Sequence, residues 1–448
     1  MSFDTLVNLN ISLSEAPIPL TSFGVPIIFV ALSGPQGTAW TAEHGGNLYI
    51  ELTPATWEAS LAAIGVTDSD PIYTAVATMF SQEAQPDRAY LARRSTAVAQ
   101  VSTITVPASP TDGTYTVTVN GVTHSYVASG ASQTDVANAL RTAINGGAAA
   151  SAVTATGTTS VVITSDEAGV AFTASASMSG GATGLSAAVT TPNVGIRSDV
   201  AAVRAQVDDW YHALELTRTA GSAREIAAAT APIRKMSWSQ TSDAAAQAAG
   251  SSDIGSQLGA LGYVRHAVVW HDDDGEYVDA AWVGRMASSR PGNATWHAKT
   301  LVGVDGIVPT GESFLHAKRY NFLERFVAAR FSMTRNGITI GGQFVDVIIG
   351  RDYLHNLIQT RLIELQRDVD KIPMDETGRA MIRGTLRGAL LEAAGEGLVD
   401  ADSINITVPA TTALSSANRA SRHWSGITFS ARLTGAVHSM TINGALAP

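Results

Sequence analysis

Cysteine is absent from the 448 residues, which excludes disulfides, thiolate zinc sites and cysteine nucleophiles together and leaves only non-covalent cross-links. Basic residues are missing from the beginning of the chain: the first is Arg88, so no positive segment of a secretory signal precedes an apolar stretch. Long hydrophobic runs are missing too. The longest near the start, 25–32, falls far short of the ~20 residues that a membrane-spanning helix requires. These absences predict a soluble protein, made and used in a cytoplasm, without membrane insertion.

Charge is sparse, at 15% of residues against 45% hydrophobic, which places the chain among core-forming globular proteins and outside the disordered class. Its length predicts two to four domains. A formal net charge of -10 argues against nucleic acid as a partner, because phosphate backbones are held by clustered Lys and Arg. The charge is uneven: of 29 basic residues, four (Arg88, Arg93, Arg94, Arg141) precede Arg197. An acid-tilted half and an Arg-bearing half suit copies that touch through complementary faces, and they equally suit ordinary solvation of a large surface.

The first elements are readable from periodicity. Residues 5–13 alternate Leu6, Asn8, Asn10, Ser12 with Val7, Leu9, Ile11, Leu13, a period of two that predicts a strand with one apolar face. Pro17 and Pro19 then separate it from a second strand at 25–32. Helical spacing follows from Thr53, with Trp57, Leu61 and Ile64 on one side, then at 71–83, before a strand at 88–92.

Between about 97 and 195 the composition turns to Thr, Ser, Ala, Gly and Val, with Arg141 the one basic residue. A hairpin (115–120 and 123–128 around Gly121), a short helix (134–144) and strands at 160–164 and 169–175 predict an inserted module. Alternation then resumes: helices at about 198–207, 223–231 and 253–261, and strands at 210–216, 235–239 and 264–271. Such units imply an α/β layer that the insert interrupts. A strand at 343–349, helices at 352–367 and 376–394, and strand-like runs at 427–434 and 436–442 complete the chain, so that both ends read as strands.

Chemistry finds little to stand on. The run His271, Asp272, Asp273, Asp274, Gly275, Glu276 does not place ligands as a calcium loop requires, and a strand-ending turn explains its Asp and Gly. His266 and His271 are separated by an odd number, which puts them on opposite faces of a strand. His212, His297, His316, His355, His423 and His438 lack metal spacing. Neither a phosphate-cradling loop nor a Gly-x-Ser-x-Gly elbow is present, and Gly341-Gly342 precedes a strand, the wrong order for a dinucleotide site. No catalytic residue, metal or cofactor is therefore assigned, and the expectation is a protein that is not an enzyme. Arg351, Arg361 and Arg367 on the 352–367 helix offer either a grip on an acidic partner or a solvated face with Glu364 and Asp368 as internal partners.

Several segments, in order, resemble the contractile bacteriophage tail sheath family, formerly a phage domain of unknown function. They are Leu261-Gly262-Tyr263 with Val268-Val269-Trp270-His271, Ala280-Ala281-Trp282-Val283-Gly284-Arg285, Pro291-Gly292-Asn293-Ala294-Thr295-Trp296, Lys299-Thr300-Leu301-Val302-Gly303-Val304, Gly350-Arg351-Asp352-Tyr353-Leu354, Lys371-Ile372-Pro373-Met374-Asp375-Glu376-Thr377-Gly378 and Gly435-Ala436-Val437-His438. The likeness covers most of 199–448 and, more faintly, the residues up to about 95. The inserted module resembles a small domain that decorates several phage structural proteins.

What the resemblance implies is a subunit of a virion tail sheath, assembled in the host cytoplasm as helical hexameric rings around a tail tube protein and flanked by baseplate and tail terminator. Its contraction drives the tube through the host envelope, and the terminal strands of each copy complete a sheet in its neighbours. The expected class is α/β (α+β) and multidomain, with α/β core layers, terminal strand arms and an inserted β-rich domain. The expected divisions are an arm at 1–21, a middle domain at 22–97 and 197–300, the insert at 98–196, a tube-proximal domain at 301–421 and a C-terminal arm at 422–448. Inter-subunit strand contacts are expected at Leu6, Val7, Leu9, Ile11, Ile427, Phe429, Leu433, Val437, Met440 and Ile442, and tube contacts at Arg351, Arg361 and Arg367. The alternatives are a phage decoration or receptor-binding protein, suggested by the Thr/Ser-rich insert, and a hydrolase built on His271 and Asp272 to Asp274.

Overall fold

A computed structural model describes residues 19–32, 34–148, 152–292 and 294–438. The chain runs through β1 (Pro26–Val30), α1 (Gly34–His44), β2 (Tyr49–Leu52), α2 (Trp57–Ala63), α3 (Pro71–Phe80) and β3 (Ala89–Arg93). The Thr/Ser-rich stretch follows as β4 (Val101–Thr105), β5 (Gly113–Val119), β6 (Val122–Ala128), α4 (Gln133–Gly146), β7 (Val153–Thr156), β8 (Ser160–Ser165), β9 (Ala174–Ser179) and β10 (Ser186–Thr191). Then come α5 (Ile196–Arg204), β11 (His212–Glu215), α6 (Ala220–Thr230), β12 (Met236–Thr241), α7 (Ile254–Leu261), β13 (His266–Trp270) and α8 (Val278–Ala287). The last part holds α9 (Glu312–Ala317), β14 (Phe322–Phe326), β15 (Phe331–Arg335), the long α10 (Val345–Asp368) and α11 (Glu376–Gly395), and the short strands β16 (Asn405–Thr407) and β17 (Thr428–Ser430).

One six-stranded sheet organises the body, in the order β13-β12-β11-β1-β3-β2, parallel except for the antiparallel edge strand β2. All five residues of β1 are buried, as a parallel strand covered on both faces demands. The two-residue period sorts them: Ile28 and Val30 enter one apolar cluster, while Val25, Ile27 and Phe29 enter another on the opposite face. Leu91 and Tyr90 of β3 divide in the same way. On the first face lie side chains from α3, α8, α10 and α11 in a single continuous cluster, so the long C-terminal helices share the core of the sheet. Trp238, Trp282 and Trp296 meet there, the first and last stacked at 4.6 Å, and the Trp282 indole donates to the Trp296 carbonyl at 3.1 Å. Of the segments that carried the family resemblance, those at 268–271, 280–285 and 350–354 are largely buried, whereas those at 299–304, 371–378 and 435–438 are largely exposed or half-buried.

The insert has its own apolar cluster, built from β4 to β8 and α4 with Phe172 and Leu185, over a three-stranded sheet (β6-β5-β9) and a four-stranded one (β10-β4-β8-β7). Its two linkers leave and return side by side: Val98 and Val194 form an antiparallel bridge, with Val98 N–H donating to the Val194 carbonyl at 2.9 Å. Below the bridge Arg94 reaches Asp199 at 3.5 Å and also pairs with Glu215, while Ser95 N–H donates to Asp199 at 3.1 Å. All three charged groups are buried, and a buried ion pair of this kind fixes geometry more than it adds stability.

The expected class and the α/β layer hold, and most elements fall where periodicity placed them. Five details differ. The expected strand at 343–349 is the first turn and a half of α10, because Val345, Ile348 and Ile349 bury at helical spacing and Asp346 sits where the helix N-terminus favours an acid. The expected strand at 169–175 begins only at Ala174; Gly169 (φ 86°) is pressed against Ala97 and Gly195 at the insert's root. Thr53 and Thr56 bond side chain to side chain at 2.8 Å in a turn, so α2 starts later, at Trp57. The run at 427–434 is a strand only over Thr428–Ser430, and the described part of 436–442 has no strand. Helices α1, α8 and α9 and strands β2, β4, β7, β10, β14, β15 and β16 were not anticipated.

Candidate assembly surfaces

The expected strand contacts divide into three groups. Leu6, Val7, Leu9, Ile11, Met440 and Ile442 lie outside the described residues. Ile427, Phe429 and Leu433 are half-buried against the chain's own core. Phe429 pairs with Ile406 across the antiparallel β16–β17 ladder, and Leu433 bridges Val399. These three are therefore parts of the body's surface sheet and not of a projecting arm. Val437 is 73% exposed. Among the described residues neither β16 nor β17 has a further strand beside it, which leaves main-chain donors and acceptors on two edges.

The three arginines expected to reach outward are each occupied at home. Arg351 lies 3.4 Å from Asp352, Arg367 is 2.7 Å from Asp368, and Arg361 bonds Glu364 at 2.8 Å and Glu392 of α11 at 2.7 Å. Those bonds push the Arg361 pKa further up. The internal-partner reading of this helix is the one observed.

The neighbouring α11 shows the opposite. Its inner face buries Ile382, Leu386, Ala389, Leu390 and Ala393. Its outer face exposes Arg383 and Arg387, and no ion pair joins either to a described residue. Directly after each lies a glycine, Gly384 and Gly388, where an added Cβ would meet no described residue within 4 Å. Glycine inside a helix costs about 0.5–1 kcal/mol relative to alanine, and no contact with a described residue offsets that cost here. The spacing Arg379, Arg383, Arg387 is the sequence signal for this face, and α11 carries as many arginines as the longer α10.

The acidic run makes a turn. Gly275 N–H donates to the Asp273 carboxylate at 2.7 Å, and Arg218 binds Asp274 and the Glu276 carbonyl while its guanidinium lies 4.5 Å over the Tyr277 ring. His271 faces the carbonyls of Asp273 and Asp305, at 3.1 and 3.0 Å, while His266 sits between Ser237 and Ser239, at 2.8 and 2.9 Å. The two imidazoles do not converge. Burial holds His266 and His212 near pKa 3, neutral at any ordinary pH. Among the described residues no three His, Cys, Asp or Glu are grouped to hold a metal, and no helix is long and apolar enough to cross a membrane.

No protein-family model matches the sequence, and no curated protein matches it. Solved structures do. A chain of the anti-feeding prophage baseplate is similar at 8% identity and TM-score 0.53, with 98% of each chain covered. A chain of the sheath complex of an extracellular contractile injection system (PVC), in its contracted state, is similar at 8% identity and TM-score 0.51, covering 99% of this chain and 98% of that one. The contracted helical sheath of the anti-feeding prophage gives 9% identity and TM-score 0.50, with 98% and 97% covered. The likeness is one of fold, spans nearly the whole chain, and agrees with the resemblance drawn from the sequence.

Proposed function

We propose that this chain is the structural subunit of a contractile sheath, in a phage tail or phage-like particle, which polymerises as hexameric rings around an inner tube. Shortening of this array drives the tube through a bacterial envelope. The observation that carries the reading is the end-to-end fold match with chains of two contracted sheath assemblies, in which little of either chain is left over for another role. No nucleotide enters the scheme, since the work is stored in a metastable lattice.

Strand exchange supplies the links. The β16–β17 pair has main-chain groups on its outer edges, and the terminal sequences 5–13 and 436–442 carry alternating apolar residues suited to such an edge. Ile427, Phe429 and Leu433 then belong to the acceptor, and the donors are Leu6, Val7, Leu9 and Ile11 at one end and Val437, Met440 and Ile442 at the other. The outer face of α11, with Arg383, Arg387 and two glycines, replaces Arg351, Arg361 and Arg367 as the surface turned to the tube. Gly384 and Gly388 allow close approach, and the arginines select an acidic partner. The insert faces outward, and baseplate and terminator cap the ends.

Electron microscopy of the purified protein tests this. Cylinders are expected from the full chain, and folded monomers without cylinders from truncations lacking residues 1–16 or everything after His438. Normal polymerisation by both truncations would sink the reading. A second reading, a decoration or receptor-binding protein, draws on one observation. The outward positions of the β6-β5-β9 sheet are uncharged and almost all hydroxyl-bearing, with Thr116 between Ser125 and Ser177 and Thr118 between Thr123 and Ser175. Discrete trimers with carbohydrate affinity would favour it.

A further inference from the structure

The last described part of the chain is fastened to the body in two steps. From Thr428 to Thr434 the fastening is main-chain: the β16–β17 ladder, then Asp400 N–H donating to the Arg432 carbonyl and Thr434 N–H to the Leu398 carbonyl, both at 2.9 Å. Among the described residues no backbone hydrogen bond ties 435–438 to the body, and Val437 stands in solvent. One side chain holds this stretch. The His438 ring stacks on that of His297, with centroids 4.5 Å apart and planes 19° from parallel. Phe344 meets it edge-on at 4.8 Å, and Thr295 Oγ1 lies 2.9 Å from His438 Nε2. His297 Nδ1 is buried without a hydrogen-bond partner.

We propose that the stacked His297–His438 pair is an acid-released clasp that holds the C-terminal run to the body at neutral pH and lets it go when the rings are protonated. Two neutral imidazoles stack as aromatic rings do, but two imidazolium ions at this separation repel, and little around them compensates. On the segment bearing His297, the nearby charge is Lys299; from β15 comes Arg335; from α9 come His316 and Glu312, the latter already shared with His316 and Arg335. The N-terminus of α10 contributes Asp346, the one carboxylate that favours a charged His438. His297 is held near pKa 4, first by burial and then by His438, Arg335, Lys299 and His316, and burial also lowers His438. The sign follows. Both rings take up protons more readily when released, so the clasp is intact above the ordinary imidazole pKa of ~6.5 and weakens as pH falls from there toward 4. The inference concerns a single molecule and holds whether or not the chain polymerises.

Hydrogen exchange of the full chain, with rates corrected for the intrinsic effect of pH, reads the clasp directly. Protection of the Arg432 and Thr434 amides, which donate to Ser403 Oγ and to the Leu398 carbonyl where the run leaves the body, is expected to fall at least tenfold from pH 7.5 to pH 5.0, while the amides of β1 and β12 stay protected. The double variant His297→Phe/His438→Phe keeps two stacking rings without a titrating nitrogen, and its protection should change less than twofold. Asp346→Asn, which removes the carboxylate that favours a charged His438 in the closed state only, should move the release to higher pH. An unchanged wild-type run at pH 5.0, an equal fall in the double variant, or an unmoved midpoint in Asp346→Asn would each overturn the proposal.

Discussion

The hydroxyl of Tyr211, at the entrance to β11, donates a 2.8 Å hydrogen bond to the carboxylate of Asp352 in the middle of α10, in the buried interior. Arg265, just before β13, grips the same carboxylate, with its second nitrogen at 2.7 Å. A helix and two strands far apart in sequence are thereby registered on one charge. Removing that charge leaves Arg265 buried and unpaired, so Asp352→Ala is expected to cost about 3–5 kcal/mol, whereas Tyr211→Phe should cost about 1 kcal/mol. Denaturant midpoints check both. The paired replacement Arg265→Met/Asp352→Leu should lose less than Asp352→Ala alone, and a larger loss would refute the account.

On the outer face of α11, Gly384→Ala and Gly388→Ala each place a methyl group in open space. Each is expected to stabilise the isolated chain by about 0.5–1 kcal/mol, visible as a raised melting temperature. If this face closes against a partner, the same changes impair cylinder formation. Greater stability together with undiminished assembly would remove the face from the interface.

Charge reversal separates the two sets of arginines. Arg383→Glu/Arg387→Glu should leave folding unchanged and abolish co-sedimentation with tube polymers. Arg361→Ala should cost about 0.5–1 kcal/mol or less, since its pairs with Glu364 and Glu392 are about a third exposed, and should leave tube binding intact. The opposite pattern would restore Arg361 as the contact.

Acid should destabilise the body as well as the clasp. His212 and His266 are fully buried and held near pKa 3 by desolvation, so the unfolded chain binds more protons than the folded one between about pH 6.5 and 3. Stability from these two groups is whole above pH 6.5 and falls as pH drops below it, by up to about 1.4 kcal/mol per pH unit for each. Guanidinium unfolding at pH 7 and pH 5 measures the slope, and His266→Gln should flatten it. A stability independent of pH over that range contradicts the assignment.

Much of this was legible before any coordinates. Five-residue apolar runs such as Pro26–Val30 and His266–Trp270 announce strands covered on both sides, and the Thr/Ser-rich composition marked the insert. What stayed hidden was relational. Glu392 is 31 residues from Arg361, so no spacing could say that this arginine is neutralised at home. Val345 to Ile349 reads equally as a strand or as a helical turn, and the apolar cluster that Val345, Ile348 and Ile349 join at helical spacing decides it. In α1 only Trp40 is buried, too little apolar signal to outweigh its glycines and proline. The outer face of α11 escaped because its message lies in Gly384 and Gly388, small residues that carry no apolar period and meet no described residue within 4 Å.

The bridge between Val98 and Val194 makes the insert an interchangeable cartridge. Since the entry and exit points touch whatever lies beyond them, a larger, smaller or unrelated module leaves the span across the main sheet unaltered and changes the closure entropy only logarithmically with length. Such a module can therefore be exchanged without renegotiating the sheet that carries it.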